Sequence, residues 1–155
     1  MSQDFRADLH IHSRFSRATS RALNLPLLAG WAALKGITVL GTGDFTHPEW
    51  RAEMREQLVL EESSGLYRLK NPALIAEKLP AWADSPLLMA NAAKVRFLLQ
   101  AEISSIYKRG GRVRKVHNLV YMPSLEAAEK FSKKLGEVGN PTPDGRPILG
   151  LDSCR

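Results

Sequence analysis

The sequence predicts an α/β fold, and three observations carry that expectation. Two short apolar runs, Phe5 to Ile11 and Ile37 to Leu40, have strand character. The stretch between them repeats Leu27, Leu28, Trp31 and Leu34 at helical spacing. Strand, helix, strand in that order is the unit of a parallel sheet with right-handed crossovers. Finally, 155 residues at 44% hydrophobic and 25% charged suffice for one domain with a real core. That composition excludes a disordered tail, a collagen-like repeat and a disulfide-stapled miniprotein.

Each element has its local signals. Phe5 to Ile11 reads as a short buried strand running into a loop at His10-Ile11-His12. Asn24 is an N-cap, Pro26 sits in the first turn, and Gly36 suits the C′ position, so a helix lies between them. Ile37 to Leu40 is a second buried strand, closed by Gly41-Thr42-Gly43-Asp44. Pro48 opens a helix to about Gln57, and Leu58 to Lys70 reads as a hairpin turning at Ser63-Ser64-Gly65. Ala73 to Ala83 is helix-like but broken by Pro80. Val95 to Tyr107 and Val113 to Met122 are extended runs joined through Gly110-Gly111. Ser124 caps a helix with a stripe of Leu125, Ala128, Phe131 and Leu135, ending at Gly136 or Gly139. Asn140 to Gly145 is loop, and Leu151-Asp152-Ser153 resembles the entry to another element.

Charge and cysteine content narrow the setting. Twenty-two Lys and Arg against 16 Asp and Glu give +6, an excess that favours polyanions such as DNA. The single cysteine, Cys154, makes no internal disulfide, so a reducing cytoplasmic compartment is expected. No secretory leader pattern opens the chain, and no apolar run nears the roughly 18 residues of a membrane span, so no membrane role is expected.

The chemistry concentrates in Asp8-Leu9-His10-Ile11-His12-Ser13. Residues two apart in an extended strand point to one side, so His10 and His12 present two imidazoles together. Such a pair suits Zn²⁺, Mn²⁺ or Fe²⁺, or else it is two unrelated polar residues near a strand edge. The other two histidines, His47 and His117, also fall in or just after predicted strands, as do Asp44 and Glu102. Glu102 lies in the apolar run Phe97 to Ile103, where a bare carboxylate needs a metal or a salt bridge to Arg96 or Lys115. Two groups of cations flank these positions. Arg14, Arg17 and Arg21 follow His12, and Lys108, Arg109, Arg112, Arg114 and Lys115 surround the Gly110-Gly111 tip beside Tyr107. Either group suits phosphate contact, and the tip equally suits a solvated turn. Trp31, Trp50 and Trp82 stand at helical apolar positions and are expected in the core rather than under a stacked base.

These motifs resemble the PHP (polymerase and histidinol phosphatase) superfamily of metal-dependent phosphoesterases. The carrying residues are Asp8 to Ser13, Gly43-Asp44, Ala101-Glu102 and Val116-His117. Within it, the stretches Asp8 to Ser20, Gly41 to Trp50 and Glu102 to Ser124 are similar to the N-terminal domain of endonuclease Q proteins, which nick DNA on the 5′ side of deaminated bases. The resemblance implies a distorted (β/α)7-type PHP barrel. It also implies two or three divalent ions in the complete domain, one held by His10, His12 and Glu102 and a second shared by Glu102 and His117. Asp44 matches the aspartate of a family motif whose next residue is often histidine. Phe45 stands there in this chain, and His47 is the candidate substitute ligand. The family's later ligands, including an Asp-x-His, do not occur after His117. The 155 residues therefore read as the first part of such a barrel, with weakened metal affinity and little turnover expected. Two alternatives accompany the DNA-endonuclease reading: a PHP phosphatase acting on a small phosphomonoester, and a non-catalytic remnant that binds nucleic acid or a partner.

Overall fold

The computed structural model describes residues 5–17, 19–83, 85–139 and 148–150. The expected loop at Asn140 to Gly145 and the element entry at Leu151 to Ser153 lie outside them. Strand β1 (Ala7–Asp8) pairs in parallel with β2 (Val39–Gly41), and β2 pairs in parallel with β5 (Arg96–Arg109). Helix α1 (Leu25–Leu34) makes the first crossover. Asn24 accepts from the Leu27 amide at 3.0 Å, Pro26 follows it, and Gly36 takes the left-handed conformation (φ 71°) after the last turn. The anticipated strand–helix–strand unit is therefore present.

The connection from β2 to β5 is an excursion. It comprises α2 (Pro48–Gln57), the hairpin of β3 (Leu58–Glu61) and β4 (Leu66–Leu69), α3 (Leu74–Lys78), a 3₁₀ turn (Ala81–Ala83) and α4 (Pro86–Ala92). Antiparallel β4 joins the other side of β5 at Tyr67, so the sheet is mixed, in the order β1-β2-β5-β4-β3. Then β6 (Arg112–Met122) folds back antiparallel on β5 from Leu99 to Arg109 without a break in register. After α5 (Leu125–Val138), β7 (Ile148–Gly150) pairs in parallel with Ser104 to Ile106. Among the described residues no helix is long and apolar enough to cross a membrane.

Three expectations needed revision. Strand β1 ends at Asp8, so His10 and His12 stand beyond it on an extended segment rather than within it. Helix α4 was not among the expected elements, although Ser85 caps it by accepting from the Leu88 amide at 3.1 Å. Trp50 is fully buried and Trp31 half-buried, as expected of core residues, but Trp82 is 72% exposed and lies edge-on to Trp31 at 6.0 Å. The break at Pro80 leaves Trp82 on a single 3₁₀ turn, too short to bury a face.

The core sits between the sheet and its helices. Phe97, Leu99 and Ala101 of β5 pack with Leu40, with Leu25, Leu28 and Ala29 of α1, with Trp50 and Met54 of α2, and with Leu125 and Ala128 of α5. Because strand residues alternate sides, Gln100 and Glu102 fall on the opposite face from those three. The alternation of β5 thus gives one face to the core and the other to the candidate site.

A fork between β3 and β5 spans the intervening strand. Arg96 donates from Nε to Glu61 Oε2 at 3.0 Å and from Nη2 to Oε1 at 2.8 Å, and Ser64 Oγ donates to Oε2 at 2.8 Å. The Arg96 and Ser64 hydrogen bonds hold the Glu61 carboxyl down at about 2, against an ordinary 4.5. A carboxyl depressed in the fold contributes stability that is complete above the unfolded value and lost as pH falls through the folded one. Glu61→Gln should therefore flatten the fall of the thermal midpoint between about pH 5 and pH 2. The check is a melting series by circular dichroism, and an unchanged pH profile would contradict the assignment.

Candidate metal centre

The extended segment after β1 is held on both sides. The His10 amide donates to Asp8 Oδ1 at 3.2 Å, and the Ile11 amide donates to Gln100 Oε1 at 3.4 Å. The turn after β2 then closes on it. Gly43 and Asp44 both take positive φ (66° and 45°). A side chain at Gly43 would come within 2.9 Å of His12 Cα and Ile11 O, so only glycine lets the two segments touch. Trp50 Nε1 donates to the carbonyls of Thr42 (3.2 Å) and Gly43 (2.9 Å) and fixes the turn from below.

This packing brings three imidazoles onto one carboxylate. His10 Nε2 lies 2.9 Å and His12 Nε2 3.1 Å from Glu102 Oε2, while His117 Nδ1 lies 2.5 Å from Oε1. Glu102 is 2% exposed, whereas His10 is half-exposed. The rings of His10 and His12 stand 5.7 Å apart, nearly edge to face. Asp44, fully buried, spends both oxygens locally. Its Oδ1 is 2.9 Å from His12 Nδ1, and its Oδ2 accepts from the Ser13 amide (2.6 Å) and Ser13 Oγ (2.7 Å).

His10, His12 and Glu102 bring their ligand atoms within 4.8 Å of one another and could hold a metal ion. The donor chemistry fits. In a neutral His12, Asp44 against Nδ1 favours the proton there and turns the Nε2 lone pair toward Glu102. Lone pair against carboxylate is repulsive unless a proton or a cation lies between them. Two imidazole nitrogens and a carboxylate oxygen are a donor set that Zn²⁺, Mn²⁺ and Fe²⁺ accept.

The remaining sequence candidates fall in different places. His117 joins Glu102 from β6, on its far oxygen. Asp44 supports His12. His47 is the N-terminal flank of α2, where its ring stacks on Phe15 at 4.1 Å between centroids. Burial pushes the His47 imidazole below its ordinary value, and its Nδ1 has no partner among the described residues. Arg14 pairs with Glu53 of α2 and covers the Phe15 ring at 5.3 Å. Arg17 and Arg21 are exposed in the loop after Ser13, and Lys108, Arg109, Arg112, Arg114 and Lys115 are exposed at the β5–β6 tip. Glu102 is paired with histidines, while Arg96 is taken by Glu61, so the alternative Arg96 bridge is not formed. Gln100 was not singled out by the sequence reading. It is fully buried two residues before Glu102, carries the Ile11 amide, and leaves its Nε2 unpartnered among the described residues. A lone amide in the apolar run Phe97 to Ile103 was the available signal.

Fold and cluster together define a mixed α/β domain with a histidine–glutamate centre at the end of its first strands. Two solved structures that the chain resembles are those of endonucleases. The chain matches the crystal structure of PfuEndoQ from Pyrococcus furiosus with a TM-score of 0.67 and 28% identity, over 95% of this chain and 29% of that one. It matches endonuclease Q bound to a 27-mer duplex substrate with an abasic lesion at the active site with a TM-score of 0.66 and 29% identity, over 94% and 29%. The chain thus corresponds to less than a third of the solved structures it resembles. A 49-residue stretch, 32% of this chain, is 47% identical to an uncharacterized protein of Methanocaldococcus jannaschii and covers 6% of it. No family model matches.

Gly43→Ala tests the close approach. Both the positive φ and the contact with the His12 backbone oppose a methyl group, so a loss of at least about 1–2 kcal/mol is expected. A chain of this size then melts several degrees lower, at roughly 2–4 °C per kcal/mol. An unchanged midpoint would show that the segment after β1 does not need Gly43.

Proposed function

We propose that this chain is the metal-binding part of a PHP-type phosphoesterase that cuts damaged DNA, on the 5′ side of a deaminated base. The observation that carries the reading is the convergence of His10, His12 and His117 on buried Glu102, within a fold shared with endonuclease Q. The duplex in one of those structures supports DNA as the partner.

His10, His12 and Glu102 would hold one divalent ion, and His117 on the second oxygen of Glu102 would serve a neighbouring one. Bound divalent ions supply an acidified water and neutralise charge on a phosphoryl group. The chain's own residues do the arranging. Asp44 keeps the His12 proton on Nδ1 and the ring in one orientation, while Ser13 keeps Asp44 in place through two hydrogen bonds. Half-exposed His10 and His117 leave the cluster open to a phosphodiester on a large substrate. Arg17 and Arg21, exposed on the loop after Ser13, suit the flanking phosphates. Arg14 would first have to exchange Glu53 for such a phosphate. The exposed cations of the β5–β6 hairpin favour a polynucleotide over a small phosphomonoester, which needs only a closed pocket.

Metal content measured by mass spectrometry after loading with Mn²⁺ or Zn²⁺ decides the first step. His10→Ala should lose bound metal while circular dichroism stays unchanged, and Asp44→Asn should weaken the affinity by about 10- to 100-fold. Wild-type metal content in His10→Ala would overturn the centre. Preference for a duplex containing a deaminated base over the intact duplex, abolished by EDTA, tests the substrate. Equal binding of both would remove the lesion from the proposal.

A further inference from the structure

The β5–β6 hairpin carries its cations on two faces. In register, Ser104 opposes His117, Ile106 opposes Lys115, and Lys108 opposes Val113. Alternation puts these pairs on the face of Glu102 and His117. The offset set is Tyr107 opposite Arg114 and Arg109 opposite Arg112, which therefore projects from the reverse face. The turn between them uses Gly110 and Gly111 at φ 59° and 73°, and an added Cβ at either would meet open space.

Four arginines elsewhere in the fold are engaged by carboxylates or backbone carbonyls. Arg14, Arg55 and Arg96 pair with Glu53, Glu126 and Glu129, and Glu61, and Arg51 donates to the carbonyls of Phe45 and Thr46. Among the described residues no carboxylate reaches Arg109, Arg112 or Arg114. Two of the three are placed directly opposite each other, an arrangement that disfavours the hairpin unless an anion lies over it. A local cost of this kind without a structural return marks a functional surface.

We propose that Arg109, Arg112 and Arg114, with Tyr107, form a second DNA-backbone contact that grips duplex phosphates away from the metal centre. The proposal rests on the DNA reading above, but it assigns this face to a segment other than the strand being cut. Lys108 and Lys115, on the Glu102 side, lie along the cleavage track instead. Residues two apart on a strand are about 7 Å apart, so the four side chains cover a patch matched to two or three phosphates.

The test is fluorescence anisotropy of this chain with an undamaged 20-base-pair duplex in EDTA, read as the slope of log affinity against log salt. Each phosphate neutralised contributes about 0.9 to that slope. The triple variant R109Q/R112Q/R114Q should be flatter than wild type by about 2 to 3. The same loss should appear in a His10→Ala background, because this face does not act through the metal centre. A change below about 0.5, or an effect that vanishes with His10→Ala, would overturn the proposal. Arg112→Gln alone should hold or raise the thermal midpoint by relieving the opposed pair, and a lower midpoint would mean a structural role. If His10→Ala keeps its metal while the slope still falls with the triple variant, the metal reading fails and this one stands.

Discussion

A carboxylate that is 2% exposed cannot remain alone, and Glu102 sets the terms for everything around it. Its position on β5 puts it opposite the core face of Phe97, Leu99 and Ala101, so the strand cannot slip by one residue without burying the charge in the core. The segment after β1 and the middle of β6 must both arrive there, because the histidines that meet the carboxylate come from those two places. The parallel β1-β2-β5 order and the antiparallel β6 return are the topology that delivers them.

A second layer gives the cluster its geometry. Asp44 is a non-glycine residue in the left-handed region, a conformation that aspartate tolerates better than most. It is held there by the Ser13 amide and hydroxyl and by the packing of Gly43 on the His12 backbone. Trp50, fully buried, ties that turn to α2 through its indole N–H. Stability and site are therefore not separable here: the side chain that anchors α2 in the core also fixes the loop that orients His12.

Much of this was legible in the sequence, and for identifiable reasons. Helices α1, α2 and α5 announce themselves through Asn24, Pro48 and Ser124 with apolar residues at helical spacing, and the Gly110-Gly111 hairpin is set by local turn chemistry. The His10–His12–Glu102 cluster could be anticipated because a charged residue in an apolar run is rare enough to demand partners. What stayed hidden depends on contacts distant along the chain. The pairing of Arg14 with Glu53 and of Arg96 with Glu61, the stacking of His47 on Phe15, and the burial of Gln100 beneath Ile11 leave no periodic trace. The exposure of Trp82 was missed because a 3₁₀ turn and a helix share composition over so short a span.

The continuity of β5 has a mechanical consequence. From Arg96 to Arg109 it is one strand, with unbroken pairing to β6 from Leu99 onward. Arg109 stands seven residues, or about 23 Å, beyond Glu102 on the same backbone. The arginines of the tip and the carboxylate of the site therefore share one continuous ladder, so a shift of register at the hairpin would displace Glu102 as well.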